Sequence, residues 1–363
     1  MGIFRRIGRD FWWLLLVYAL FIAGYEAFTT WNEWMKPVSK AAAQPRIINI
    51  TPGITFFEVA RLLEDEHLVR SSLGFVVLTW VKNAQEKLQA GEYQLSPTQT
   101  PAEILDYLAN GRVLEHIVTI PEGFNIYDVA GLIEMAGLMP KGHFLEAAKN
   151  KALLNKLGID GDSAEGYLFP DTYFFTKAVS PQKIIETMVG RLKYVWKEEG
   201  FSERAKELGL DMKEVLTLAS IVEKEAVLPE ERPVIAGVFW NRIKKGMPLQ
   251  ADPTVYYGII DPYSKTRPRL TKKELTTMTP YNTYVIKGLP KGPIANPGRE
   301  SIRAVLYPKE TEFLYFVSKN NGTHYFSKTL AEHNRAVEMY QRRQNGNESP
   351  IINGTDDITH AGH

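Results

Sequence analysis

An uncharged, mostly apolar run from Phe11 to Tyr25 follows Arg5, Arg6 and Arg9, and Phe28, Trp31 and Trp34 lie beyond Glu26. At ~1.5 Å per helical residue the run reaches ~22 Å, so crossing a ~30 Å hydrocarbon layer requires Ala27 to Trp31 as well, with Glu26 reaching toward the interface. The pattern predicts an uncleaved signal anchor over 11–31. The arginines on its amino-terminal side hold residues 1–10 in the cytoplasm and place the remainder outside. A cleaved signal peptide would need Ala41 and Ala43 as its small-residue site, and these lie far past the apolar run.

Beyond the anchor the apolar spacing repeats. Pro52-Gly53-Ile54-Thr55 with Phe56 to Leu63 matches Glu122-Gly123-Phe124-Asn125 with Ile126 to Ile133 at a separation of 70 residues, and the match extends through Glu64/Glu134 and Leu68/Leu138. Each copy predicts a short strand (Ile47 to Ile50; Ile117 to Ile120), a glycine turn, a capping Thr or Asn and an amphipathic helix. Between them Ala90 to Leu95 predicts a strand and Pro101 to Asn110 a short helix. Plain structural duplication without a ligand accounts for such a repeat equally. The arrangement is similar to LysM modules, which bind glycans containing N-acetylglucosamine, and that similarity assigns residues 45–140 to glycan positioning.

From Phe144 to Trp196 the pattern gives a helix, the aromatic segment Glu165 to Phe175, and a second helix. Glu165 and Asp171 flank rings suited to stacking on sugar faces or to forming core. The clearest helix follows Asp211. Past Tyr315 a strand-and-helix region ends near Arg343, and residues 344–363, rich in Asn, Gly and Asp, read as a disordered tail.

Composition narrows the possibilities. Hydrophobic residues make up 44% and charged residues 23% of the 363, with a net charge of +1, so no basic excess points to nucleic acid. There is no cysteine, which removes disulfides, thiolate metal sites and a thiol nucleophile. Walker-type phosphate loops, H-E-x-x-H pairs and G-x-S-x-G elbows are absent, and the seven histidines show no metal-ligand spacing. The reading therefore carries neither a metal nor another cofactor.

What remains is carboxylate chemistry on the helix containing Val215 to Ala226. Val215, Leu218, Ala219 and Val222 form the expected buried stripe, and at ~100° per residue Glu223 and Glu225 fall on opposite flanks of it. They cannot act as a pair on one face. Glu225 neighbours Leu218, Ile221 and Val222, the surroundings that raise a carboxyl pKa as a general acid requires. The competing reading leaves both as solvated surface glutamates. Downstream, Gln250-Ala251-Asp252-Pro253-Thr254, Tyr281-Asn282-Thr283-Tyr284 and Gly288 to Gly298 read as loops suited to a cleft that hydrogen-bonds sugar hydroxyls and acetamides.

Together the Glu223-Lys224-Glu225 motif, Asn241-Arg242, the Leu249 to Gly258 string, Tyr281 to Tyr284 with Gly288 to Gly298, and late His324 and His333-Asn334 resemble the endolytic murein transglycosylase (YceG-like) family. The resemblance covers nearly the whole chain. It implies cleavage of the bond between N-acetylmuramic acid and N-acetylglucosamine in nascent glycan strands, leaving 1,6-anhydro ends and terminating strand elongation. It implies Glu225 as the acid/base, no cofactor, and Gln250, Asp252, Tyr284, Asn296 and Glu165 as candidates to hold the sugar. It implies peptidoglycan and the penicillin-binding synthases as partners, and an inner-membrane location with the catalytic part on the periplasmic side. A hydrolytic muramidase, with Asp252 or Asp171 assisting Glu225, and a non-catalytic glycan-binding scaffold are the competing functions. The expected architecture is α+β: a membrane helix, the LysM-like βα region, and a mixed helical, loop-rich catalytic domain over 141–343.

Overall fold

The computed structural model describes residues 2–259 and 270–342, so the expected tail at 344–363 lies outside the described residues. The fold is mixed α and β, rich in helix, with three small two-stranded sheets among the described residues. The chain divides into two compact units, residues 1–116 with 176–178, and residues 117–175 with the remainder from 179.

The first unit opens with α1 (Gly2–Trp34), an unbroken helix whose segment Trp12–Trp34 has a mean hydropathy of 1.4 and no buried side chains. It is longer than the expected 11–31 span, because Glu26 and Glu33 do not interrupt it. At ~1.5 Å per residue it is long enough to cross a bilayer without help from neighbouring segments. After it come β1 (Arg46–Ile50), α2 (Phe56–Asp65), α3 (Ser72–Val81), β2 (Gly91–Leu95) and α4 (Pro101–Ala109). β1 and β2 pair antiparallel, with Ile48 opposite Tyr93. Ile48, Ile50, Val59, Leu63, Phe75, Leu78, Tyr93, Leu95, Ile104 and Leu108 close a core of their own. Helix α3 was not expected, since its apolar residues run together without a clear period.

The second unit contains β3 (Glu115–Thr119), which begins just before its boundary, then α5 (Ile126–Met135), α6 (Lys141–Ala148), α7 (Lys151–Leu157), β4 (Thr172–Thr176), α8 (Pro181–Glu198), α9 (Phe201–Glu207) and α10 (Met212–Glu225). There follow α11 (Arg232–Lys244), α12 (Asp252–Ile259), α13 (Lys272–Thr276), α14 (Arg299–Leu306), β5 (Tyr315–Ser318), β6 (His324–Ser327) and α15 (Leu330–Val337). β3 pairs with β4, and β5 with β6.

Both copies of the repeat start a ten-residue helix with a reciprocal capping box, Thr55 with Glu58 and Asn125 with Asp128. The units divide at His116, so the second copy, expected within 45–140, belongs to the larger unit. One open alternative is decided and two further expectations are corrected. The rings of Tyr167, Phe169, Tyr173 and Phe175 are core, one of the two readings open for this segment, while Phe174 is exposed. The Asp252 segment, expected as a loop, is helix α12, whose Asp-Pro start is an ordinary first turn. And α10 is buried nearly all round: Leu216, Thr217, Ser220 and Ile221 are covered as well as the predicted stripe, with α11 and α14 packed around it.

Candidate active site

Helix α10 starts where Asp211 accepts from the Glu214 N–H at 2.8 Å and its own N–H returns to Glu214 at 2.9 Å. It stops at Glu225, because Ala226 leaves the helical region at ψ 117°. The three polar residues of its last turn diverge. Glu223 accepts from Arg232 at 3.2 Å and from the Gly298 N–H at 3.0 Å. Lys224 donates from Nζ to the Gly123 carbonyl at 3.2 Å. Glu225 is buried, and its Oε1 has no hydrogen-bond partner among the described residues.

Burial pushes the Glu225 carboxyl up to about 8, the negative charge of Asp252 adds to the rise, and the Arg242 guanidinium opposes it. Its place at the helix C-terminus, the negative end of the macrodipole, is likewise unfavourable to a carboxylate. The reading of both glutamates as solvated surface residues is thereby overturned.

Asp252 opens α12 and is buried, with the Tyr284 O–H donating to its Oδ1 at 2.5 Å. Gln250, two residues earlier, sits at φ +52°, a left-handed backbone that non-glycine residues adopt rarely. It is fixed from both sides: its N–H donates to the Thr283 carbonyl at 3.1 Å and its Oε1 accepts from Arg242 at 3.2 Å. Thr254 and Thr283 join hydroxyl to hydroxyl at 2.8 Å, tying α12 to the 281–284 turn.

Arg242 belongs to the family pattern, but its spacing along the chain carries no signal of its role. It is almost fully buried and donates to the carbonyls of Leu314 (2.7 Å), Leu249 (2.8 Å) and Pro248 (3.3 Å), with the Tyr315 ring 5.1 Å from its guanidinium. Asn241 beside it donates to the carbonyls of Thr311 and Phe313. The pair thus holds the loop before α12 and the strand entry at β5. His324 closes a different seam, 2.6 Å from Glu231 at the turn leading into α11.

Glu165 and Asn296, two of the five sugar-holding candidates, have their polar atoms directed into the protein. The Ile126 N–H and the Tyr257 O–H donate to Glu165 Oε2 at 3.1 and 3.0 Å, and Asn296 Nδ2 donates to its Oε1 at 3.3 Å. Asn296 also donates to the Phe124 carbonyl at 2.8 Å and accepts the Leu168 N–H at 2.9 Å, while its carbonyl takes the Gly123 N–H at 2.9 Å. Burial pushes Glu165 up to about 8 too, against the pull of its donors. Asp171, an alternative nucleophile, is held by Arg191 at 2.6 Å. The structure therefore gathers Glu225, Asp252, Tyr284, Gln250 and Arg242 at one place. Glu165 and Asn296 form the latch that joins the second repeat copy to the Pro293–Gly298 segment.

Among the described residues no three His, Asp or Glu side chains converge as a metal site. A buried, protonated carboxyl with one oxygen unengaged can donate a proton to a bound ligand and then take one back.

Comparison with known proteins gives a consistent picture. The model of the YceG-like family matches residues 48–339. A protein of Bacillus subtilis (strain 168) named endolytic murein transglycosylase is 33% identical over 336 residues, covering 88% of this chain and 91% of that protein. One of the same name from Streptococcus pneumoniae serotype 2 is 27% identical over 356 residues, and the match covers 63% of that longer protein. A crystal structure of a yceG-like protein from Listeria monocytogenes superposes with a TM-score of 0.55 at 32% identity, covering 81% of this chain and all of that one.

Proposed function

The chain belongs to the YceG-like family, and from that membership we propose that it is an endolytic lytic transglycosylase of peptidoglycan with Glu225 as its acid/base. The observation that carries the residue assignment is the buried Glu225 carboxyl at the end of α10, pushed up to about 8 and with Oε1 unengaged. At neutral pH it enters the reaction protonated. It donates its proton to the oxygen between N-acetylmuramic acid and the next N-acetylglucosamine, and the C1–O bond breaks as positive charge develops at C1. The carboxylate so formed takes the proton of the muramic C6 hydroxyl, whose oxygen closes on C1. The product is a 1,6-anhydro end, the acid is restored, and no water is consumed.

Asp252, with Tyr284 hydrogen-bonded to it, has two effects here: its charge keeps Glu225 protonated, and it faces the developing positive charge. Gln250, set at positive φ by Thr283 and Arg242, is proposed to hold an acetamide or hydroxyl. Glu165 and Asn296 act as positioning residues. In the membrane reading, α1 anchors the chain with its amino terminus in the cytoplasm and both units outside, within reach of nascent strands and the penicillin-binding synthases that make them. The β1-α2-α3-β2 unit is the LysM-like glycan holder, and a cavity of about 720 Å³ lined by Phe56, Phe57, Trp80, Asn83 and Gln85 offers both rings and hydrogen-bonding groups for it. Phe57→Ala should weaken retention on insoluble peptidoglycan without altering the fold.

The test of the reaction is mass spectrometry of products from uncrosslinked strands in ¹⁸O-water. Internal fragments with anhydro ends and no ¹⁸O are expected. Reducing ends carrying ¹⁸O would mean a muramidase in which Asp252 activates water. No cleavage by folded protein would mean a scaffold.

A further inference from the structure

Helix α3 presents two unlike faces. Gly74, Phe75, Leu78 and Thr79 are buried in the core of the first unit. Leu73, Val77, Trp80 and Val81 are exposed at 59%, 39%, 58% and 67%. Their spacing of i, i+4, i+7 and i+8 puts them on one stripe, and that stripe has no polar member. In water it is a cost with no return, since nothing among the described residues of its unit covers it.

The neighbour of this stripe is the end of the apolar helix α1. The Trp34 side chain lies against Gly74, so near that a β-carbon there would come within 3.0 Å of Trp34 Cβ. Gly74 follows directly on Leu73, the first residue of the stripe. The join is fixed by more than one contact. Trp31 and Met35 pack on the core of the unit, and Arg70, just before α3, donates from Nε and Nη2 to the Pro37 carbonyl at 3.1 and 2.8 Å. The last turn of α1 and the first turn of α3 thus pack against each other, with the exposed Glu33–Lys36 pair and Arg70 beside the join. Beyond the stripe Lys82, Glu86 and Lys87 are exposed.

We propose that the Leu73–Val77–Trp80–Val81 face of α3 is a lipid-docking surface seated in the headgroup layer beside the outer end of α1. This rests on the reading of α1 as a membrane anchor. The aliphatic character of Leu73, Val77 and Val81 favours lipid over sugar, which needs hydrogen-bonding groups among the rings; the neighbouring Phe57–Asn83 cavity, whose lining Trp80 shares, has them and the three aliphatic residues do not. Seated so, the first unit has a fixed orientation on the membrane instead of swinging about a single tether.

The chain has no native cysteine, so single labels are unambiguous. Full-length Val77→Cys and Leu73→Cys proteins, each carrying a nitroxide, are reconstituted in phosphatidylcholine/phosphatidylglycerol vesicles, and collision with oxygen and with a water-soluble nickel chelate is measured. Leu20→Cys in α1 reports the anchor independently, and Glu203→Cys on α9 supplies the aqueous reference. The proposal expects the 73 and 77 labels to lose nickel access and gain oxygen access, at a depth of ~5–10 Å in the headgroup–acyl boundary. Nickel access equal to that of the 203 label, with label 20 in lipid, would overturn the docking surface and leave the anchor standing. Loss of access to both reagents would overturn it too, because another protein surface or a glycan then covers the stripe. A label at 20 open to nickel would overturn the anchor reading itself.

Discussion

Two carboxyls in the larger unit are buried and pushed up to about 8, yet they are placed for different work. Glu165 lies where chain segments meet, and its oxygens accept from Ile126, Tyr257 and Asn296. Glu225 lies at the end of a helix, with Oε1 accepting from nothing among the described residues. A raised pKa by itself therefore does not mark the acid that reacts. Burial raises both; the difference is that both oxygens of Glu165 are already engaged by internal donors, whereas Glu225 Oε1 is not. The turn before Glu225 makes the same point, since Glu223 is equally covered but occupied by Arg232 and Gly298.

The comparison can be broken most severely at Glu225. Glu225→Gln should lower strand cleavage by on the order of 10²–10⁴-fold, the range of a lost general acid–base, with an unchanged circular dichroism spectrum. Cleavage by that variant near the wild-type rate would reverse the roles given to the two residues. Asn296→Ala should act on the other side of the contrast. It leaves the Leu168 N–H and Glu165 Oε1 unpaired in the interior, and chemical denaturation should show a loss of ~2–4 kcal/mol.

The next effect has the opposite sign. A carboxyl raised from its unfolded value near ~4.3 to about 8 favours the protonated folded state, so its contribution to stability declines as pH rises through that window. Glu225→Gln removes the decline. The variant should match the wild type near pH 4 and exceed it by ~1–4 kcal/mol at pH 8, read from thermal unfolding at the two values. The smallest effect is expected at Asp252. Asp252→Asn removes the like charge facing Glu225, so the alkaline limb of kcat/KM, which falls as Glu225 loses its proton, should begin at lower pH, by ~1 unit.

Much of this was legible in the sequence where the controlling interactions are local. The capping boxes of α2, α5 and α10 and the position of Glu225 beside Leu218, Ile221 and Val222 follow from spacing within a turn or two. The helical start at Asp252 was local as well, but Gly258 and the surrounding aromatics disguised it as a loop. What was not legible is the distant pairing. Asn296 meets Phe124 across 172 residues and Glu165 across 131, and Arg242 meets Leu314 across 72. Spacing along the chain could rank Glu165 and Asn296 as polar residues in a motif, but not reveal that their polar atoms are engaged inside the protein. For the same reason the burial of α10 nearly all round escaped its pattern: Thr217 and Ser220 look like a solvent face, whereas the Ser220 hydroxyl accepts the Ile294 N–H at 3.0 Å from 74 residues away.

The claim that Glu225 stands protonated at neutral pH is tested most directly by infrared difference spectroscopy of the carboxylic acid C=O band at pH 7, wild type against Glu225→Gln. The account predicts that the variant loses one protonated-carboxyl band, and that in the wild type this band titrates away with a midpoint near the value of about 8 set by burial. A band unchanged by the substitution would mean that Glu225 is already ionised at pH 7, and it would contradict the assignment of this residue as the general acid.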